Sequence, residues 1–179
     1  MIAFSREPSE WQRLDWHLFQ NGAIVLYFRP ATLLEDIQWL QAHRYSVFEF
    51  RCEKWQSEQF VHEDFRRVLG FPGCYGSNFD ALNDCLSDIS IPEDGGVALV
   101  FHHFDAYSKA AGAKRTPVDR THAEVILDIV ADCSRFFLLT GQRFVALVQS
   151  DDPTIRFERL GCVDATWNPR EWPNKNRGL

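Results

Sequence analysis

Apolar residues return at helical spacing between Phe79 and Ile89, where Phe79, Leu82, Cys85, Leu86 and Ile89 share one side. Asp80, Asp84 and Asp88 share the other, beside Asn83 and Ser87. Asn78 is the predicted N-cap of this helix, because its side-chain oxygen can accept from an unpaired first-turn amide. A turn rich in Gly and Pro, Phe71–Ser77, leads into it. Upstream, the Asn21-Gly22 pair between the apolar runs of Trp16–Phe28 predicts a β-hairpin. Thr32-Leu33-Leu34-Glu35 reads as a capping box opening a helix with Leu33, Ile37 and Leu40 on one side, ending near Arg44. Tyr45–Cys52 intersperses β-branched and aromatic residues with polar ones and predicts a strand. Ser57 then caps a helix whose apolar face is Phe60, Val61, Phe65 and Val68, with Gly70 placed to end it.

Beyond the acidic helix, Val97–Phe101 is continuously apolar, as a strand buried on both faces is. A short helix through Lys109 and an exposed basic loop, Ala110–Arg115, follow. Thr116-Pro117 predicts the start of a long helix that buries Val125, Ile126, Ile129, Val130, Cys133 and Phe137, with Asp132 at the flank. Arg143–Gln149 is the last core strand, and Ile155–Val163 a further strand. The aromatic stretch Ala165–Trp172 is expected to pack back on the body, and the chain to fray from Asn174. Strand, helix, strand at the start predicts a parallel crossover that extends the sheet. The fold class is α/β, a mainly parallel sheet flanked by helices. One domain is expected over 1–179, with a hairpin-and-helix extension at 1–44, a core at 45–150 and a C-terminal extension at 151–179.

Composition narrows the function. Of 179 residues, 45% are hydrophobic and 14% aromatic, ordinary for a folded globular protein. A net charge of −6 argues against nucleic acid or an anionic membrane and for a cationic partner. Five cysteines without a CxxC make no disulfide framework. Cys52, Cys85 and Cys133 sit among apolar residues and read as buried thiols of a reducing compartment. With no apolar leader at the N-terminus and no apolar run of membrane length, the expected location is the cytoplasm.

The acidic stripe is the feature that local stability leaves unexplained. Carboxylates at i, i+4 and i+8 repel, each pair costing about 0.2–0.5 kcal/mol. No Lys or Arg occurs between Arg67 and Lys109, while six acidic residues do. Either this is a solvated face, or it is built to meet something positive. The run Cys74-Tyr75-Gly76-Ser77-Asn78-Phe79-Asp80-Ala81-Leu82-Asn83-Asp84-Cys85-Leu86 resembles the signature of the barstar family, the intracellular inhibitors of barnase-type ribonucleases. The likeness is specific over this stretch and extends in element order from about Val47 to Gln149, leaving out the first forty-odd residues and the tail.

That resemblance implies a barstar-like fold and a protein that binds and blocks a ribonuclease toxin, as a monomer when free, with no cofactor, catalysis or metal. Asp80 and Asp84 match the two aspartates of the family's binding helix. Asp132 falls where the family's last helix carries an acidic residue that reaches the nuclease. Tyr75 and Gly76 match the supporting turn, where a positive φ is expected at Gly76, and Asn78 matches the asparagine at the helix start. Cys74 and Asn83 depart from the pattern, standing where the family has aromatic residues, which implies a different cognate target. Charge-steered capture, of which the family's own pair is the standard example, is the implied mechanism.

Two other readings are open: an immunity or binding protein of the same fold for a basic partner that is not a ribonuclease, and a small metal-dependent hydrolase using His102, His103 and Asp105. The latter lacks further ligands at a convincing spacing, and no GxSxG, P-loop, HExxH or Rossmann pattern occurs. Arg156, Arg159, Arg170, Lys175 and Arg177 with Trp167 and Trp172 hint at nucleic acid, against which the negative total weighs.

Overall fold

The computed structural model describes residues 3–111 and 120–179. Eleven elements carry the fold: α1 (Leu14–Phe19), β1 (Ile24–Tyr27), α2 (Pro30–Ala42), β2 (Tyr45–Arg51), α3 (Glu58–Leu69), α4 (Phe79–Ser87), β3 (Gly96–His102), α5 (Phe104–Ala111), α6 (His122–Leu139), β4 (Phe144–Gln149) and β5 (Thr166–Trp167). The strands form one sheet in the order β2-β3-β4-β1-β5, every pairing parallel. The α/β architecture predicted from the pattern is the one observed.

Alternation along the strands divides the core in two. Val97, Leu99 and Phe101 with Phe144, Ala146 and Val148 face one layer; Ala98, Val100, Val145 and Leu147 face the other. The first layer packs beneath the helices that carry Val61, Phe65, Leu82, Leu86, Ile126 and Val130. The second packs under α1 and α2 through Leu18, Leu33, Ile37 and Leu40. Covered on both faces, the central strands are apolar up to their last residues, His102 and Gln149, as parallel strands are.

The N-terminal hairpin does not form. Residues Leu14–Phe19 are helical, and Asn21-Gly22 turns α1 into β1, with Gly22 at φ +107°. Both edges of β1 are taken, by β4 and by β5, so no place remains for a hairpin partner. Arg13 fixes the entry to α1, donating through Nε and Nη2 to the buried Asp15 carboxylate at 2.9 and 2.7 Å, and the Tyr45 hydroxyl donates to it at 2.8 Å. β1 and β2 belong to one sheet but lie apart, with β4 and β3 between them.

Other boundaries move as well. α2 begins at Pro30, a residue whose fixed φ suits the first helical position, and not at a box around Thr32. Phe60 of α3 is exposed, while Val61 and Phe65 are buried. α6 opens at Thr121, whose hydroxyl accepts from the Glu124 amide while the Glu124 carboxylate accepts from the Thr121 amide. Thr116-Pro117 and residues 112–115 of the basic loop expected over Ala110–Arg115 lie outside the described residues, while its first two positions continue α5 to Ala111. On α6 the buried line is Ala123, Ile126, Leu127, Val130, Cys133, Ser134 and Phe137, with Val125 and Ile129 only half-buried.

Residues 155 to 163 are irregular, and the added strand is β5, further on. Towards the end of the chain, Asn174–Arg177 forms a single turn of 3-10 helix. The Glu171 carboxylate accepts from the backbone amides of Phe28 and Arg29, both at 2.8 Å. Arg177 is buried, donating to the carbonyls of Pro153, Glu171 and Trp172 and lying 4.4 Å from the centre of the Trp167 ring. No helix among the described residues is long and apolar enough to cross a membrane.

Candidate functional site

The turn before α4 is fastened from below. Gly70 ends α3 in the left-handed conformation, φ +68°, and the chain folds back through Phe71 and Pro72, whose carbonyl accepts from the Tyr75 amide at 3.0 Å. Tyr75 is buried, its ring 5.1 Å from that of Phe71, and its hydroxyl hydrogen-bonds Nδ1 of the buried His62 on α3. Phe79, the first residue of α4, sits between the rings of His62 and His122, at 5.3 and 5.1 Å. The first turns of α4 are thereby tied to both α3 and α6.

The space at position 76 is close. A Cβ there would come within 3.3 Å of Asn78 Nδ2 and 3.4 Å of the Ala81 Cβ. The positive φ expected at Gly76 falls instead on Ser77, at +49°. Asn78 caps α4 as predicted, its Oδ1 accepting from the Ala81 amide at 2.8 Å. Leu82 and Leu86 then anchor the helix, which leaves Asp80, Asn83, Asp84 and Asp88 exposed.

Among the described residues the carboxylates of Asp80 and Asp84 have neither an ion-pair partner nor a side-chain hydrogen bond. Cys74 is exposed on the turn. Burial pushes the Cys85 thiol up, with Cys74 and Asp84 adding to the effect. All five cysteines are free thiols; Cys52 and Cys133 are buried and Cys85 is half-buried.

α6 lies alongside α4, and Cys133 marks their meeting, its Sγ 3.6 Å from Ser87 Oγ and 3.9 Å from Asn83 Oδ1. Asp132 is exposed on the same stretch of α6, but its carboxylate is held by Arg135. Arg135 also donates to the Gly161 carbonyl at 2.6 Å, so the C-terminal segment is stapled over this helix. The turn from Cys74 to Ser77, Tyr75 apart, and both α4 aspartates are thus exposed; Asp132 lies on the neighbouring helix with its charge answered.

His62 and Glu58 are the site residues that sequence reading passes over. His62 sits between Val61 and Phe65, and its place on the apolar face of α3 is the one signal it gives. Glu58 approaches both histidines, Oε1 3.6 Å from His62 Nε2 and Oε2 3.4 Å from His122 Nδ1. Burial lowers the His62 pKa, with Glu58 opposing and His122 assisting.

The hydrolase triplet does not assemble. His102 Nε2 meets Glu49 at 2.7 Å, while His103 Nδ1 meets Asp151 at 2.6 Å. The buried Asp105 accepts from the Asp151 amide at 3.0 Å and from Lys109 at 3.3 Å. No three His, Cys, Asp or Glu side chains among the described residues are placed to share an ion. Of the tail cations, Arg170 pairs with Glu35 and Asp36, and Arg177 is spent on carbonyls. A cavity of about 510 Å³ opens between β5 and the tail, lined by Trp167 and Trp172, and none of the α4 residues lines it.

No curated protein matches the chain. Among solved structures, a chain of the "Structure of Drosophila ORC bound to AT-rich DNA and Cdc6" is similar over 81% of this one at 17% identity, with a TM-score of 0.44. This chain spans 44% of that protein's length, and a likeness of that size carries nothing about function. The family model described as "Barstar (barnase inhibitor)" matches residues 45–149, from β2 through β4. That match covers more than half of the chain and contains the whole turn, α4 and α6, so the chain belongs to the Barstar family of barnase inhibitors.

Proposed function

We propose that this chain is an inhibitory immunity protein, acting in the cytoplasm, that seats α4 and the Cys74–Ser77 turn in the basic active site of a ribonuclease toxin. The observation that carries this reading is the exposed pair Asp80 and Asp84, which lack an internal cation among the described residues. A ribonuclease site is a pocket of Arg, Lys and His that holds phosphate. Carboxylates fixed on a capped, two-sided-anchored helix can take the positions of phosphate oxygens, and charge-assisted hydrogen bonds in a water-poor pocket are the strong kind. Tyr75, Gly76 and Asn78 position the turn, and Cys74 and Asn83 contact the partner's rim. Asp132 joins by exchanging Arg135 for a cation of the toxin. The chain performs no catalysis.

Titration of the purified protein into barnase and other basic bacterial ribonucleases cleaving a fluorogenic RNA tests this. One-to-one loss of activity is expected, with association slowed by added salt. Asp84→Ala should weaken binding about 30-fold or more, the factor that corresponds to about 2 kcal/mol, with circular dichroism unchanged. An unchanged dissociation constant removes Asp84 from the site. Because Cys74 and Asn83 are exposed and not aromatic, a second reading keeps the face and changes the quarry to a basic toxin that is not a nuclease. Capture of such a toxin, with every ribonuclease left active, would favour it.

A further inference from the structure

His62 stands where four elements meet. It belongs to α3 and is buried, and its ring lies against Tyr75 of the turn and Phe79 of α4. Glu58 links it to His122, the first residue of α6. The two ring nitrogens have different surroundings. Nε2 has no hydrogen bond and lies 3.6 Å from Glu58 Oε1. A carboxylate on that side favours the proton on Nε2, which leaves Nδ1 as an acceptor. The Tyr75 hydroxyl therefore donates to Nδ1, and it has no other hydrogen-bond partner among the described residues. Tyr75 is buried while its neighbours Cys74 and Gly76 are exposed, so this bond ties the exposed part of the turn to α3. A second proton on the ring would reverse the arrangement. Nδ1 would then carry hydrogen, and the Tyr75 hydroxyl would have to turn its own proton away from its partner in a buried place, which is costly.

We propose that His62 is a positioning residue for the partner-binding turn, and that its protonation loosens the turn and weakens capture of the cationic partner. This rests on the reading of the turn and α4 as the binding face. The partner's charge acts in the same direction. A cation seated on Asp80 comes next to Phe79, which packs on the His62 ring. Binding then opposes a proton on His62, and by linkage that proton opposes binding. The groups around the ring set the balance. Burial and His122 of α6 disfavour the charged ring, while Glu58 of α3 favours it. Burial pushes the hydroxyls of Tyr75 on the turn and Tyr107 of α5 above the usual tyrosine range, so both stay neutral. α4 brings Phe79, which has no charge, and Cys85, whose thiol burial pushes up. The proton is therefore taken up below the ordinary histidine range, in mild acid.

The test follows wild type, His62→Gln, Tyr75→Phe and Asp84→Ala between pH 8 and pH 5.5. In NMR spectra of the free chain, the amides of Tyr75 and Gly76 are expected to shift with the midpoint of the His62 ring. They should stop doing so in His62→Gln and in Tyr75→Phe, although the His62 ring still titrates in the latter. Affinity for barnase and a panel of basic bacterial ribonucleases is measured by calorimetry over the same range. On acidification wild type should lose about threefold or more beyond what His62→Gln loses, the partner's own titration being common to both. Asp84→Ala should bind more weakly at every pH with the wild-type slope. Thermal melts check folding, and where His62→Gln does not fold, Tyr75→Phe decides by the same comparison. Equal slopes in wild type and in the His62 and Tyr75 variants overturn the positioning role, and a weakened Asp84→Ala then leaves the α4 reading standing. Turn amides that ignore the His62 midpoint overturn it as well. A chain that holds none of the panel, or one indifferent to Asp84→Ala, overturns the α4 reading and this proposal with it.

Discussion

His62 shows how much one side chain can hold. Its ring is buried, hydrogen-bonds the Tyr75 hydroxyl through Nδ1, and leaves Nε2 3.6 Å from Glu58 without a hydrogen bond. Tyr75, Glu58, His122 and the Phe79 ring surround it, and burial depresses its pKa. A depressed histidine pKa means that the unfolded chain binds a proton the folded chain refuses. The contribution to stability is therefore whole above about pH 6.5 and declines as pH falls below it. Urea denaturation at pH 8 and at pH 5.5 should show the wild-type midpoint dropping, and His62→Gln should drop less. Equal slopes for the two proteins would mean that His62 is not the titrating group. Tyr75 was legible in the sequence through its motif. His62 was not, because a histidine inside an apolar helical face reads as one more core position.

At the scale of elements, α4 was the most legible because its cap, its period and its charge agree. Asn78→Ala removes the acceptor for the Ala81 amide and should cost about 1 kcal/mol in denaturation experiments, while Asn78→Ser should recover most of it. If Ala proved neutral, the cap would be ornamental. Boundaries were less legible where local signals competed. The Asn21-Gly22 pair is as good a hairpin signal as a sequence offers, yet parallel partners already occupy both edges of β1. α1, at six residues, is too short to declare a period, and Leu18 enters the core only because α2 and the sheet enclose it. Thr121 and Glu124 make the capping box that Thr32 and Glu35 only resemble, since Pro30 starts α2 earlier.

Across the whole molecule, the C-terminal segment completes the sheet. β5 covers the outer edge of β1, and Glu171 takes the two amides that follow that strand. Glu171→Ala would leave the amides of Phe28 and Arg29 without their acceptor and should lower stability by about 1–3 kcal/mol. A melting temperature within a degree of wild type would mean that water replaces it freely. The sequence marked this region as too aromatic for a linker but could not say what it covers. Only the arrangement of β1 beside β4 defines the edge it closes. The family resemblance likewise located the acidic face but not the Asp132–Arg135 pair, since Gly161, which lies far along the chain, helps to hold Arg135 there.

At the opposite margin of the sheet, β2 pairs with β3 alone and has Glu49 and Arg51 along it. Charged side chains on such a border make it a poor template for strand-by-strand growth. Copies of the chain therefore have little tendency to add to one another along that strand.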